Sequence, residues 1–162
     1  SPMSRGLGDV YKRQGGHCAK AIADACKPLD WNFSVQDSRA EYATLDGAKE
    51  THHSCPSDFL AQESQETLSR FSDILLLGHD WKEDEERLIG LLKLQYQGRL
   101  GVIGSKSKWN AFTKIALESG ISSETLSSVN CPIGLDIGAE SPEEIAIAVL
   151  AEILASHKGI SQ

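Results

Sequence analysis

The 162-residue sequence has little of what several special chemistries require. Its four cysteines, Cys18, Cys26, Cys55 and Cys131, form no CxxC pair. Neither a disulfide framework nor a zinc site is expected from that spacing. Cys18, Cys26 and Cys55 read as reduced thiols. No apolar run approaches the roughly 20 residues of a membrane span; the richest stretch, Ile145 to Ala155, is interrupted by Glu152. The first residues lack the apolar core of a signal peptide, so the expected location is cytoplasmic. Positive charge is also scarce. Sixteen Lys and Arg face twenty-three Asp and Glu, for a net charge of −7, and no basic block exists. Neutralising phosphates needs a basic face, so neither a nucleic acid nor an anionic membrane surface is an expected partner. The patterns GxSxG, HExxH and GxxxxGK[ST] are missing, which removes the local signatures of serine hydrolases, zinc proteases and P-loop nucleotidases.

What is present suits one globular domain: 40% hydrophobic and 24% charged residues. Residues 1–14, SPMSRGLGDVYKRQ, show no helical or strand period and no capping logic. They resemble translated adapter sequence and are expected to be a non-native leader ahead of a domain over 15–162. A doubly wound domain should open on a buried apolar strand. Val10 to Gln14 place Lys12 and Arg13 there instead, so the proper first strand is expected to be lacking.

The remainder alternates. A helical stripe (Ala21, Ile22, Ala25, Cys26) runs over 17–29. Trp31 to Gln36 alternates as a strand, 38–57 reads as a polar loop, and Phe59 to Leu68 as a short helix or turn. Asp73 to Leu77 is a continuous apolar run of the kind buried on both faces of a parallel sheet. Asp80 and Glu83 open a helix to Leu94, with Leu88, Leu91 and Leu92 on its buried face. Arg99 to Ile103 is the next strand. Lys108 to Ser119 is helical, with Phe112, Ile115 and Ala116 facing inward, and 122–127 is a helical turn. Ser141, Pro142 and Glu144 start a last helix that ends near His157, with Gly159 as its stop. Strands alternating with helices predict an α/β fold with a mostly parallel sheet between helical layers.

In such folds ligands sit beyond the strand C-termini, which makes the turns there the candidate sites. Gly15, Gly16 and His17 precede the first helix, where glycine lets backbone approach a pyrophosphate and the helix terminus favours an anion. Gln14 stands where the first glycine of GxGxxG would fall, and Ala19 replaces the last. Asp37 lies about 20 residues further on, where an acidic residue holds a ribose hydroxyl. His79 and Asp80 follow the third apolar strand, although helix capping alone explains Asp80. Gly104 and Ser105, with Lys106 and Lys108, form a turn able to take an anion. His52, His53 and Cys55 carry metal-capable atoms in a polar loop, but no fourth ligand has compatible spacing. Residues 131–139, CPIGLDIGA, form a shaped loop in which Gly134 and Gly138 permit positive φ. The loop feeds the capped helix at Ser141. A thiol at Cys131 beside that positive terminus is a candidate for a lowered pKa and for carrying sulfur; a buried structural thiol is the alternative.

The segment CPIGLDIGAESPEEIAIAVLAEILA resembles the C-terminal signature of the XdhC/CoxI family. RLGVIGSKSKWNAF resembles that family's preceding strand-turn-helix block. GGHCAKAI and VQDSRAEY resemble its glycine turn and second-strand acidic segment. LLLGHD resembles its third-strand segment, where Thr-His-Asp is common and Gly78 departs from the pattern. The resemblance covers 15–158. It implies a Rossmann-like three-layer sandwich, without the N-terminal domain that family members usually carry. It further implies an accessory or chaperone role, rather than an enzyme, in which molybdenum cofactor (molybdopterin) is bound, sulfurated and delivered to xanthine dehydrogenase-type molybdenum hydroxylases. Implied partners are the client hydroxylase, a cysteine desulfurase and a second copy in a homodimer. The positions matching family blocks, and so the expected cofactor-binding set, are Gly15, Gly16, His17, Asp37, His79, Asp80, Gly104, Ser105, Cys131 and Gly134. The competing expectation is an NAD(P)-binding oxidoreductase domain, supported by the glycine turn and Asp37 but lacking an acid/base constellation.

Overall fold

The structure is a computed structural model that describes residues 17–78 and 80–160. Helix α1 covers 17–26 and ends in a 3-10 turn, Lys27–Leu29. Strand β1 (Val35–Asp37) and strand β2 (Thr51–His53) follow. Helices α2 (Pro56–Ala61) and α3 (Gln65–Leu68) lead to β3 (Asp73–Leu76). Then come α4 (Trp81–Lys93), β4 (Arg99–Val102), α5 (Lys106–Glu118), α6 (Ser123–Ser127) and α7 (Pro142–His157). All pairing among the described residues is parallel. β1 pairs with β2, and β3 with β4. An isolated bridge joins Gly101 to Asn130 on the far side of β4.

Period-2 alternation along β3 and β4 sorts their side chains to two faces. Ile74, Leu76, Leu100 and Val102 enter one core with Leu88, Leu91 and Leu92 of α4 and Phe112 and Ala116 of α5. Leu75, Leu77 and Ile103 enter the other, with Cys18, Ile22 and Cys26 of α1 and Ile145, Val149 and Ile153 of α7. Helices therefore cover both faces of a parallel sheet, the α/β layering that the alternation predicts.

Three expectations need correction. The region 38–57 is not all loop, because it contains β2 and a 3-10 turn at Ala40–Tyr42. Thr51, His52 and His53 show no apolar alternation, since β2 is half exposed, so patterning does not reveal it. The strand expected over Trp31 to Gln36 is only Val35–Asp37; Trp31 and Phe33 pack against the α1/α7 core instead. Phe59 to Leu68 is shared by two helices, broken at Gln62 to Ser64, where Ser64 caps α3 through Thr67. The leader over 1–14, with its missing first strand, lies outside the described residues.

The helix starts follow from their caps. Asp80 accepts from the N–H groups of Lys82 and Glu83. Ser105 accepts from Lys108 N–H and Ser141 from Glu144 N–H. These satisfy amides that a helix start leaves orphaned. At the far end of α7, Gly159 adopts φ 73°, which ends the helix without a Cβ penalty.

Candidate functional site

The C-terminal ends of β1, β3 and β4 bring Asp37, Gly78 and Gly104 to one edge of the domain, facing the starts of α4 and α5. A polar chain crosses beneath this edge. Lys108, in the first turn of α5, turns inward and is 3% exposed; Asp84, in the first turn of α4, is 1% exposed. Lys108 Nζ donates to Asp84 Oδ2 at 3.1 Å and to Ile103 O at 2.9 Å. Asp84 Oδ2 also accepts from Gly78 N–H at 2.9 Å, and Oδ1 accepts from the Arg87 guanidinium at 2.9 Å. Arg87 Nε donates to Gln36 Oε1, and Gln36 Nε2 to Ser54 O. One buried relay thus ties β1, α4 and α5 together. Buried charge is tolerable only when paired and hydrogen-bonded in this way.

Two glycines make room for the relay. A Cβ on Gly78 would lie 1.8 Å from Asp84 Oδ2, and one on Gly104 would lie 2.5 Å from Lys108 Cδ. Gly78, the departure from Thr-His-Asp, is therefore fitted to the Asp84 carboxylate. Sequence reasoning misses Asp84 and Lys108 as a pair. Each falls in a polar helical stretch, and only the fold reveals that they turn toward each other.

Asp37 ends β1 with both carboxylate oxygens engaged. Oδ1 accepts from the Arg39 backbone N–H at 2.8 Å and from Arg39 Nε, while Oδ2 accepts from the other guanidinium branch at 3.1 Å. Arg39 stacks 3.8 Å above the Tyr42 ring. Ser38 donates to Glu83 Oε2 at 3.1 Å, linking this loop to α4.

Asp80 and Ser105 act as helix caps. The Asp80 carboxylate sits on the α4 start, the place an external anion would take. The α5 start carries only the neutral Ser105 hydroxyl, with Lys106 exposed beside it. Of the two turns, Gly104-Ser105-Lys106 is the better suited to an anion. His17 is exposed at the head of α1 and shares a small cavity of about 260 Å³ with Lys20, Asp24, Pro142 and Glu143. Gly15, Gly16 and His79 lie outside the described residues.

Of the two alternatives for Cys131, the structure favours the buried structural thiol over the one with a lowered pKa. It is half-buried, and burial pushes its thiol from the ordinary 9.0 up to about 11, against a smaller opposing pull from the Lys108 ammonium. Desolvation of a thiolate outweighs the nearby positive charge. Gly134 has φ 112° and packs its backbone against Ala148 and Val149 of α7. Its N–H donates to Glu152 Oε1, whose other oxygen takes Arg99. That is a packing role on the flank of α7. His52 and His53 are successive on β2, so their side chains leave on opposite faces. His52 pairs with Glu50 and meets the Phe59 ring edge-on. Among the described residues no three His, Cys, Asp or Glu side chains converge as a metal site.

Comparison with known proteins agrees with this architecture. The family described as XdhC Rossmann domain matches residues 14–153. An uncharacterized protein, YqeB, of Escherichia coli is 30% identical over 139 residues, which is 86% of this chain and 25% of that protein. A protein of Bacillus subtilis named as a probable xanthine dehydrogenase subunit is 35% identical over 83 residues, 51% of this chain and 23% of its own length. The chain thus spans about a quarter of the curated relatives it matches. A crystal structure described as a xanthine dehydrogenase from Bacillus halodurans superposes with a TM-score of 0.71 at 24% identity, covering 91% of this chain and 42% of that one. At that identity the superposition speaks to the fold. With the family matched across most of its length and the layered parallel sheet in place, the chain belongs to the XdhC Rossmann domain family.

Proposed function

We propose that this domain is part of an accessory protein that binds molybdenum cofactor and supports its sulfuration and insertion into xanthine dehydrogenase-type molybdenum hydroxylases. Family membership supports the hydroxylase connection. The observation that carries the binding role is the edge where Gly104, Ser105 and Lys106 open α5 above the buried Lys108. A phosphate-bearing pterin would meet backbone N–H groups, a hydroxyl and an exposed ammonium there. Ser105 and Lys106 would hold the phosphate. Cys131, close enough to Lys108 to feel its charge, would face the remainder of the ligand as a protonated thiol. When bound, the cofactor would supply the metal and dithiolene chemistry; this chain's residues would orient it and keep water from it. A client hydroxylase, a cysteine desulfurase and a second copy of the chain are the proposed partners.

Equilibrium binding of molybdopterin to the purified chain tests this. Saturable binding weakened about tenfold by Lys106→Ala, and also lowered by Cys131→Ala, is expected. Absence of saturable binding overturns it. A second reading, NAD(P) binding, rests on Asp37 at the end of β1, where a ribose would lie. Titration with NAD⁺ and NADP⁺, followed by hydride-transfer assays, separates the two. On this reading Asp37→Ala abolishes nucleotide binding and leaves molybdopterin binding intact.

A further inference from the structure

Helix α7 is apolar nearly all round. Among residues 142–157 only Glu143, Glu144, Glu152, Ser156 and His157 are polar. A helix of that composition is ordinarily buried on every side. Its inner side, with Ile145, Val149 and Ile153, does pack into the core. On the outer side Ile147 is 60% exposed and Leu154 40%. These two lie two turns apart on one face, with half-buried Ala151 between them. Glu152 does not interrupt that face, because it turns aside to Arg99 and to the Gly134 N–H. The adjoining loop, tied to α7 by Leu135 N–H donating to Ala148 O at 3.1 Å, adds Ile137, 54% exposed.

Two exposed charges of opposite sign frame the face. Glu143 stands one turn before Ile147, and Lys158 one turn after Leu154. At 3.6 residues per turn, Glu143, Ile147, Ala151, Leu154 and Lys158 fall within an arc of about 80°. The pattern is complementary to its own reverse. A two-fold axis crossing α7 midway between Ile147 and Leu154 sets Ile147 of one copy on Leu154 of the other. By the same spacing it sets Glu143 on Lys158, twice. Ala151 falls beside the axis, where a small side chain lets two helices approach to about 8 Å. A parallel arrangement would set Glu143 on Glu143 and Lys158 on Lys158, and like charges in contact disfavour it.

We propose that the outer face of α7 pairs, antiparallel, with α7 of a second copy of this chain. The inference deepens the proposed pairing of two copies by naming its surface, and it is independent of which ligand the domain takes. Burial of Ile147 and Leu154 supplies the attraction. The two Glu143–Lys158 contacts fix direction and register, since exposed ion pairs add little affinity. Contact from one charge to the other runs along about 22 Å of helix, which requires the shallow crossing of about 20° rather than the steep class. The same patch meets itself, as a two-fold interface demands. One helix face with Ile137 beside it is smaller than the roughly 800 Å² each partner commits in a standard interface, so a reversible dimer with Kd on the order of 10 μM is expected.

Sedimentation velocity of the full chain across that concentration range tests this, with thermal midpoints as the check on folding. Ile147→Asp is expected to abolish the dimer and leave the midpoint unchanged, because the side chain is exposed. Glu143→Lys and Lys158→Glu, each alone, are expected to weaken it about tenfold by placing like charges together. The double variant Glu143→Lys/Lys158→Glu restores both contacts with their signs exchanged and is expected to recover the wild-type constant. A chain that stays monomeric overturns the proposal together with the proposed pairing, and leaves the face to a different partner. A dimer that survives Ile147→Asp unchanged keeps the second copy but overturns this surface. Failure of the double variant to recover overturns the antiparallel register.

Discussion

Lys108 and Asp84 lie on different helices, α5 and α4, and meet at 3.1 Å with almost no solvent access. The contact is asymmetric. Lys108 depends on Asp84 for its only charge-balancing partner in the relay, whereas Asp84 also holds Arg87 and the Gly78 amide. Breaking a buried pair by removing one side typically costs about 3–5 kcal/mol. Asp84→Leu should fall at the upper end, because it strands Lys108, Arg87 and Gly78 N–H together. Lys108→Met should fall at the lower end, since Arg87 still compensates Asp84. The double variant should lose less than the sum, with a coupling of about 1–3 kcal/mol. Guanidinium denaturation of the four proteins checks the order; additive losses would show that the pair is not coupled.

Gly78 provides a more local check on the same geometry. Adding a Cβ there places it 1.8 Å from Asp84 Oδ2, so the carboxylate must move. Overpacking of this kind costs about 1–3 kcal/mol, and displaced Asp84 loses partners besides. Gly78→Ala should therefore destabilise noticeably although φ at this position is ordinary, which a drop in thermal midpoint would record. Gly120→Ala offers a contrast, because Gly120 has open space but a φ of 90°; its cost is backbone strain alone, about 1 kcal/mol.

The thiols should reveal burial through pH. Cys131 and Cys18 are both pushed up to about 11, chiefly by desolvation. At neutral pH both should react with a thiol reagent far more slowly than exposed Cys55. The linkage sign follows from the proton balance. Above about 9 the unfolded chain releases its thiol protons while the folded chain retains them, so the folded state binds more protons and stability falls as pH rises. The loss runs from about 9 to about 11. Cys131→Ala should flatten that slope, which denaturation midpoints across the alkaline range would record.

How far the sequence discloses all this depends on whether a signal is local. The cap at Ser141 with Pro142 marks the start of α7 because capping is a property of neighbouring residues. The run at Asp73 to Leu77 marks β3 because a strand covered by helices is apolar on both faces. Strand β2 escapes because a half-exposed polar strand has no period to read. The Asp84–Lys108 relay is invisible, being a contact between residues 24 apart on separate helices. The sequence leaves two alternatives open for the Cys131 thiol for a related reason: its place ahead of a helix start is sequential, whereas the burial that sets its pKa is tertiary.

The acid side of the stability profile should be governed by Glu50. Its carboxylate accepts from Arg70 Nε at 2.9 Å and from Arg70's terminal nitrogen at 3.0 Å, a bidentate clasp that ties the entry of β2 to the turn before β3. Hydrogen bonds from Arg70, and then from His52, hold its pKa down to about 2 from 4.5. A depressed carboxylate means that the folded state stays ionised while the unfolded state takes up a proton. Its contribution is therefore present above about 4.5 and is lost as pH falls toward about 2. Glu50→Gln should flatten the stability curve within that window and leave the alkaline slope set by Cys18 and Cys131 untouched. The pair is partly exposed, with side chains 33% and 28% accessible, so high salt should shrink the acid-limb difference between wild type and Glu50→Gln. The buried Lys108–Asp84 pair, shielded from ions, should keep its coupling energy under the same salt. Measuring both in low and high salt separates a solvent-screened clasp from a desolvated one within a single domain, and equal salt sensitivity would contradict the burial difference on which the distinction rests.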